Sequence, residues 1–578
     1  MRANTSLLLA AIAAFGLVVP AVAAVPSSDW HYLVVEVDAH GQIEPVFHRR
    51  VQLAAARPSL SEAEALAARQ SIRHHQEAVE VEVTSGGQVL FRDVIPVVRF
   101  IHVEAPDAHG ALSRADAELQ RAAAAIRVPA IDGATLTLRA VSAASFELDR
   151  LDQLSAGFRL ADVEPVSIES RLQVTGDPGN RVDVLIMGDG YTAAETSDFA
   201  ADAASLESAF FSITPYAEYD NYVNVSSLFT ASTQSGADHP PFNAGCTGDN
   251  PTCCSDTAMM SDPLAGTFRN TAFDGRYCSF MIHRLLVVNG SKVLAAAAAV
   301  PDWDLIFVVV NDTTYGGSGG SISVASTHSA APDVIRHEYG HTFSNLADEY
   351  ETPFPGFPNC SDITSPACEA NVTDQTVRAL VKWEPWIAAA TPVPTPEGSG
   401  FSGVVGLFEG ARYRSTGMYR PREAQCLMRS LGQPFCAVCA QAYVKVLYDG
   451  GWGVPASGID PIEPGSESPP VGPVPVGSSQ VFSVDVLSPS GGPAATIEWR
   501  VDNVVQVGET SPSFIFNPPG NGSFAIKVTV KDATSLVHPS MAGSSLTSSR
   551  EWTAQVNTLI FSDGFESGNT SAWSLVVP

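Results

Sequence analysis

The chain has 578 residues, with 33 basic against 62 acidic side chains and a formal net charge of −29. Its length implies several domains, and its acidic balance argues against nucleic acid or an anionic membrane as partner. An apolar share of 45% is that of globular domains and excludes a mainly disordered chain.

Residues 1–24 read as a signal peptide. Arg2 supplies the charge, Leu7 to Val19 the apolar core, and Ala21-Val22-Ala23-Ala24 the small residues of a cleavage site. The apolar run is short for a spanning helix, and no later stretch is long enough. The expectation is a secreted bacterial protein, extracellular or periplasmic, with no integral membrane segment after signal cleavage.

Residues 25–170 read as an N-terminal β-sandwich. His31 to Asp38 has strand character; Ala78 to Thr84 alternates, Ser85-Gly86-Gly87 turns, and Gln88 to Arg92 returns as a hairpin. Val97 to Val103 and Ala134 to Ala140 add strands, whereas Ser61 to His75 and Ser113 to Ile126 read as helical or loop-like. His74 and His75 read as exposed loop residues rather than a metal pair.

Residues 179–450 carry the chemistry. Val182 to Met187 is a buried strand broken by Gly188-Asp189-Gly190; Asp189 is weighed as a calcium ligand, but a plain turn is favoured. Ala193 to Phe211 follows as a helix with Phe199, Leu206 and Phe210 facing inward. Asp304 to Val310 is a second buried strand. The Gly-rich loop Tyr315 to Gly320 leads to a short strand, Ile322 to Ala325, expected to edge the cleft. An edge strand can pair with an extended peptide through its backbone. The loop lacks the Lys-Ser/Thr ending of a phosphate loop.

Next comes Arg336-His337-Glu338-Tyr339-Gly340-His341, which contains His-Glu-x-x-His. One helical turn puts His337 and His341 on the same face, within reach of one ion, with Glu338 beside it to take a proton from water. A hydrolytic zinc usually has three protein ligands and one open position. Asp348 is the choice for the third and Glu349 the rival. In an unbroken helix Asp348 would lie about 10 Å from His341, too far for a shared ion. The helix must therefore end near Ser344–Asn345, where Asn tolerates the left-handed conformation.

These motifs, taken in order, resemble the family 64 metallopeptidases, often labelled IgA peptidases and grouped with the metzincins. The residues that carry the resemblance are Val182 to Thr192, Ser235 to Asp238, Tyr315 to Gly320, His337 to Tyr350, Ala411 to Tyr413 with Tyr419 to Pro421, and Cys426-Leu427-Met428. The resemblance implies a metzincin-like α/β catalytic domain and a zinc-dependent endopeptidase. It implies the ligands His337, His341 and Asp348, the base Glu338, and Met428 as the methionine-turn residue beneath the metal. The usual metzincin Gly and third His are replaced here by Ser344 and Ala347, and Ser430 excludes a tyrosine ligand two residues after Met428. Tyr419, with Tyr413 and Tyr350, is a candidate for oxyanion stabilisation from its place in the motif series alone. Nothing in these residues shows that immunoglobulin is the substrate.

All nine cysteines lie between Cys246 and Cys439, as suits an oxidising compartment. Cys360 and Cys368 suggest a local disulfide, and the adjacent Cys253 and Cys254 must bond elsewhere. Cys426, Cys436 and Cys439 cluster near Met428. A structural zinc is the sharper reading of that cluster, but no fourth ligand is obvious, so bracing disulfides are favoured.

Residues 451–477, rich in Pro, Gly and Ser, read as a linker, and 478–556 as an immunoglobulin-like β-sandwich around Trp499 and Trp552. Residues 557–578 form a tail. The whole reads as multidomain α+β. The functional reading is a secreted zinc endopeptidase acting on protein or peptide, with a glycan or protein as candidate ligand of the C-terminal domain. The alternative is a secreted glycan- or protein-binding adhesin with a non-catalytic metal site.

Overall fold

The computed structural model describes residues 29–54, 57, 59–71, 76–106, 112–140, 145–148, 167–354, 357–398, 400–450 and 458–556. The signal peptide, His74, His75 and the tail lie outside them. The fold is mixed α+β, with seven sheets and few helices among these residues. None of the described helices is long and apolar enough to cross a membrane.

The N-terminal part holds a three-stranded sheet, in the order Ile43–Gln52, Asp29–Asp38, Arg121–Pro129, and a four-stranded sheet, in the order Gln88–Val98, Gln76–Ser85, Thr135–Ala140, Ser145–Leu148. The two meet where Trp30 packs edge-on to Phe91, ring centroids 5.6 Å apart. The expected hairpin is present: Ser85 pairs with Gln88 across Gly86 and Gly87, both at positive φ. Such a two-residue turn needs that backbone, which glycine adopts without strain.

One expectation is overturned. Ser113 to Ile126 is not helical but spans two strands, Leu112–Glu118 and Arg121–Pro129. Local alanine propensity loses to pairing, because Arg121–Pro129 runs along the whole of Asp29–Asp38. The short side chains also let helix Gly290–Ala297 pack close: Ala122, Ala124 and Ala125 are buried and Tyr32 donates to the Leu294 carbonyl at 2.8 Å. Leu112–Glu118 pairs with Phe100–Pro106 in a separate hairpin that leaves both sheets and reaches toward residue 319.

The central part is a six-stranded sheet in the order Ser167–Gln173, Val223–Thr230, Val182–Asp189, Leu305–Val310, Ser323–Ser326, Gly317–Ser318. The inner four strands are parallel and the outer two antiparallel. Strand alternation divides its side chains. Val184, Ile186, Phe307 and Val309 face helices Thr196–Phe210 and Ala331–Thr342. Leu185, Met187, Ile306 and Val308 join the core that holds Trp30, Tyr32 and Phe91. The edge is not Ile322 to Ala325: the glycine-rich loop folds back, and its own Gly317–Ser318 is the outermost strand. Phe199, Leu206 and Phe210 are buried, as their spacing predicts.

At the C-terminal end a five-stranded and a two-stranded sheet enclose Trp499 and Trp552, whose rings stack at 5.9 Å. This unit is tied to the central part. Tyr219 and Tyr448 both donate to Asp532 Oδ2, at 2.6 and 2.7 Å, and Arg181 pairs with Glu463 at 2.5 Å. Within the stretch read as a linker, Ile459 and Ile462 are buried and Pro473–Val476 is a strand. Residues 451–457 lie outside the described residues.

Candidate metal centre

Helix Ala331–Thr342 begins with Pro332 in its first turn and buries every side chain from Val334 to His341. Proline is favoured there because the first N–H groups have no intrahelical acceptor. The helix stops where the sequence requires. Asn345 is left-handed at φ 50°, and Leu346 N–H donates back to the Gly340 carbonyl at 3.2 Å. The chain therefore reverses and returns Asp348 to the histidines. Asp348 Oδ1 lies 3.1 Å from His337 Nε2 and 3.4 Å from His341 Nε2, and the two Nε2 atoms are 3.0 Å apart.

The second ring nitrogens decide what this triangle can hold. His337 Nδ1 faces the Leu427 carbonyl at 3.0 Å and His341 Nδ1 the Leu346 carbonyl at 2.7 Å. A carbonyl only accepts, so in its neutral form each ring keeps its proton on Nδ1 and turns a bare Nε2 lone pair inward. Asp348 Oδ1 is buried there without a hydrogen-bond donor. Two lone pairs and an orphaned carboxylate oxygen at such distances suit a small divalent cation, and zinc accepts this donor set.

The surroundings orient the donors. Tyr413 OH and Arg114 Nη1 bond the other Asp348 oxygen, Arg114 at 3.4 Å. Arg412 and Tyr413 are consecutive left-handed residues, at φ 52° and 64°, and this tight turn delivers the phenol. Met428 is fully buried beneath the helix. A Cβ on Gly340 would come within 2.8 Å of its sulfur, so the glycine inside the motif is a packing requirement.

Glu338 lies beside the triangle, its carboxylate 2.6 Å from His102 Nε2 in a contact that does not align as a hydrogen bond. Glu104 completes the cluster. Its carboxylate and the donor atoms of His337, His341 and Asp348 all lie within 4.8 Å of one another. Burial, reinforced by the neighbouring Glu338, pushes Glu104 up to about 8. Burial also raises Glu338. For Asp348 burial acts upward, but His341 and His337 outweigh it and hold the carboxyl well below its usual range. His337 is pushed up to about 10: burial opposes its charge, and Asp348, Glu104 and Glu338 overcome that. Three carboxylates around two imidazoles make an electron-rich cage in which a cation can replace protons.

The residues singled out from sequence divide cleanly. His337, Glu338, His341, Asp348 and Met428 come together. Glu349 does not join them: its carboxylate points to Cys426, Cys436 and Cys439, and burial, with Cys436 nearby, pushes it up to about 8. Tyr419 pairs with Thr373 through its backbone and packs in the apolar core, away from the histidines. Of the tyrosines only Tyr413 bonds a donor of the triangle. Sequence reasoning missed His102, Glu104 and Arg114, which lie more than 200 residues before the motif. The one local signal is alternation in Ile101-His-Val-Glu104, which puts His102 and Glu104 on one face of a strand.

Calcium at Asp189 finds no support. Its oxygens accept from Thr271 Oγ1 and from the backbone N–H groups of Phe273 and Gly275, at 2.8–2.9 Å, so donors occupy the places an ion would need. The disulfides are Cys246–Cys253, Cys254–Cys278 and Cys360–Cys368, the last as expected. Cys426, Cys436 and Cys439 are buried free thiols, so the expected bracing disulfides are absent.

No curated protein matches the chain. Residues 170–245, 251–399 and 397–447 match the family model described as IgA Peptidase M64. That match covers the sheet, helix Ala331–Thr342, the Asp348 turn and the Met428 turn, and through it the chain belongs to the M64 family of metallopeptidases.

Proposed function

We propose that the chain is a secreted zinc-dependent endopeptidase, with His337, His341 and Asp348 as metal ligands and Glu338 as general base. The observation that carries this reading is the convergence of His337 Nε2, His341 Nε2 and Asp348 Oδ1 at 3.0–3.4 Å. Zinc bound there supplies Lewis-acid polarisation of a water and of the scissile carbonyl. Glu338 takes the proton from the attacking water and returns it to the leaving amine. Burial favours that role, because it raises the Glu338 carboxyl above its ordinary range and so makes it the stronger base. Tyr413 and Arg114 hold Asp348, and the Leu427 and Leu346 carbonyls hold the imidazoles, so the donors keep their aim.

The Gly317–Ser318 edge suits an extended polypeptide paired through its backbone, which favours cleavage within chains. The signal-like start and three disulfides support export. A metzincin-like plan for the central region, with an N-terminal β-sandwich and a C-terminal immunoglobulin-like sandwich, fits the sheet orders. The adhesin alternative has no feature of the site in its favour, since Glu338 stands beside the donor triangle.

The test is cleavage of an unfolded, reduced and alkylated protein by the chain, before and after limited proteolysis, beside Glu338→Gln. The expected result is equal zinc content with turnover reduced about 10²–10⁴-fold in the variant. Equal turnover in both would remove Glu338 as base.

A further inference from the structure

We propose a second metal site, built from Cys426, Cys436, Cys439 and Glu349. The three sulfurs and one Glu349 oxygen lie within 4.8 Å of one another, and all four residues are buried. Cys426 Sγ is 3.6 Å from Cys439 Sγ, and Cys439 Sγ is 3.1 Å from Glu349 Oε1. A disulfide needs about 2.05 Å, whereas two sulfurs sharing a tetrahedral zinc at about 2.3 Å each stand roughly 3.8 Å apart. Glu349 Oε2 has no hydrogen-bond partner although the residue is fully buried, and Asn371 holds its other oxygen at 3.0 Å. Cys436 stands at the N-cap position of helix Ala437–Asp449, three residues before Cys439. That is the Cys-x-x-Cys arrangement that favours thiolates for metal binding. The remaining six cysteines are paired, so these three stay reduced where their neighbours are oxidised. A zinc ion would account for that.

The position gives the ion a task. Glu349 follows Asp348, Cys426 precedes Leu427, and Glu349 N–H donates to the Met428 carbonyl at 2.8 Å. The ion would clamp the segment carrying Asp348 to the turn whose Leu427 carbonyl orients His337. The test is zinc content and zinc-edge X-ray absorption of the full chain and of the double variant His337→Ala/His341→Ala. The expected result is two zinc equivalents in the parent and one in the variant, the survivor having sulfur neighbours at about 2.3 Å. A parent whose zinc has no sulfur neighbour, or peptide mapping that joins any two of these cysteines, overturns the proposal. The parent measurements decide even if the variant does not fold.

An independent observation carries a second inference, which rests on the reading of His337, His341 and Asp348 as the catalytic metal site. We infer that the hairpin Phe100–Pro106/Leu112–Glu118 occupies the substrate cleft, with Glu104 as a fourth donor to the catalytic ion. His102 and Gly319 exchange backbone hydrogen bonds at 2.8 and 3.3 Å, antiparallel, next to the edge strand Gly317–Ser318. Tyr315 OH bonds the Glu104 carbonyl at 2.8 Å, Thr352 Oγ1 the Leu112 carbonyl at 2.8 Å, and Arg114 bridges Glu104 and Asp348. With the hairpin in place His337, Glu338 and Asp348 are each 1% exposed and His341 7%, so no peptide can reach them.

The test is the cobalt-substituted full chain and its Glu104→Ala variant, read by visible absorption and by cleavage of the same unfolded protein. The expected result is a changed cobalt spectrum and at least about tenfold faster cleavage in the variant, as befits removal of one metal-bound group. An identical spectrum overturns the donor role. Full-rate cleavage by the parent, unchanged in the variant, overturns the occlusion. A changed spectrum with no cleavage in either form, even after limited proteolysis, supports the donor role and counts against the peptidase reading, so the two fail separately.

Discussion

Two side chains outside the donor triangle set its precision. Tyr413 gives its hydroxyl to Asp348 and has Arg114 over its ring at 5.7 Å. Tyr413→Phe keeps the ring and removes only the bond; zinc affinity should fall about 10–100-fold, measured by chelator competition, with little change in thermal midpoint. Gly340 presents the opposite case, where nothing can be added. Alanine would gain about 1 kcal/mol of helix propensity, against roughly 1–3 kcal/mol for forcing Met428 and Phe435 aside. The second effect wins, because both neighbours are buried, the Met428 sulfur at 2.8 Å from the added carbon. Gly340→Ala should therefore lose up to about 2 kcal/mol in denaturant unfolding.

The turn that ends helix Ala331–Thr342 is an element with a single critical dihedral. Asn345 at φ 50° permits the reversal that brings Asp348 home. Asn345→Gly should keep both stability and zinc, whereas Asn345→Val should lose at least about 1 kcal/mol and bind zinc more weakly, because a β-branched residue resists that conformation. This element was legible from sequence, since the distance between His341 and Asp348 demands a reversal and Asn345 is the residue that supplies one. The strand Leu305–Val310 and helix Thr196–Phe210 were legible for a similar reason: their apolar periodicity is local. Other features were not. The alanine-rich Arg121–Pro129 became a strand because a partner strand lay alongside it, and no window of sequence contains that partner. Glu349 sits beside Asp348 in sequence yet faces the other way, since adjacent residues of an extended segment point to opposite sides. His102, Glu104 and Arg114 reach the site only through the tertiary fold.

At the scale of the whole molecule, the ends of the central sheet have different electrostatics. Away from the metal centre, Asp183 and Asp304 sit together at the start of two parallel strands, Asp304 bonding the Asp183 N–H at 3.0 Å. Burial, with Asp304 nearby, pushes Asp183 up to about 7. The folded state thus holds a proton that the unfolded chain releases near pH 4, so stability falls as pH rises through that window, by at most about 1.4 kcal/mol per unit. Asp183→Asn should be progressively more stable than the parent from about pH 4 to about pH 7, seen as a gap in thermal midpoint that widens and then levels off. The same sheet also shows how the molecule is divided. Leu185, Met187, Ile306 and Val308 share one apolar cluster with Trp30, Tyr32 and Phe91, and Tyr32 reaches across to Leu294. The family match begins at residue 170, on the outer strand Ser167–Gln173, and so leaves out the N-terminal residues that complete this shared interior. A chain cut there would lay one face of its central sheet open to water, so residues 170–450 expressed alone should aggregate. Release of the cleft must then come from the hairpin swinging or being nicked in place, with the rest of the N-terminal half left behind as a permanent part of the peptidase.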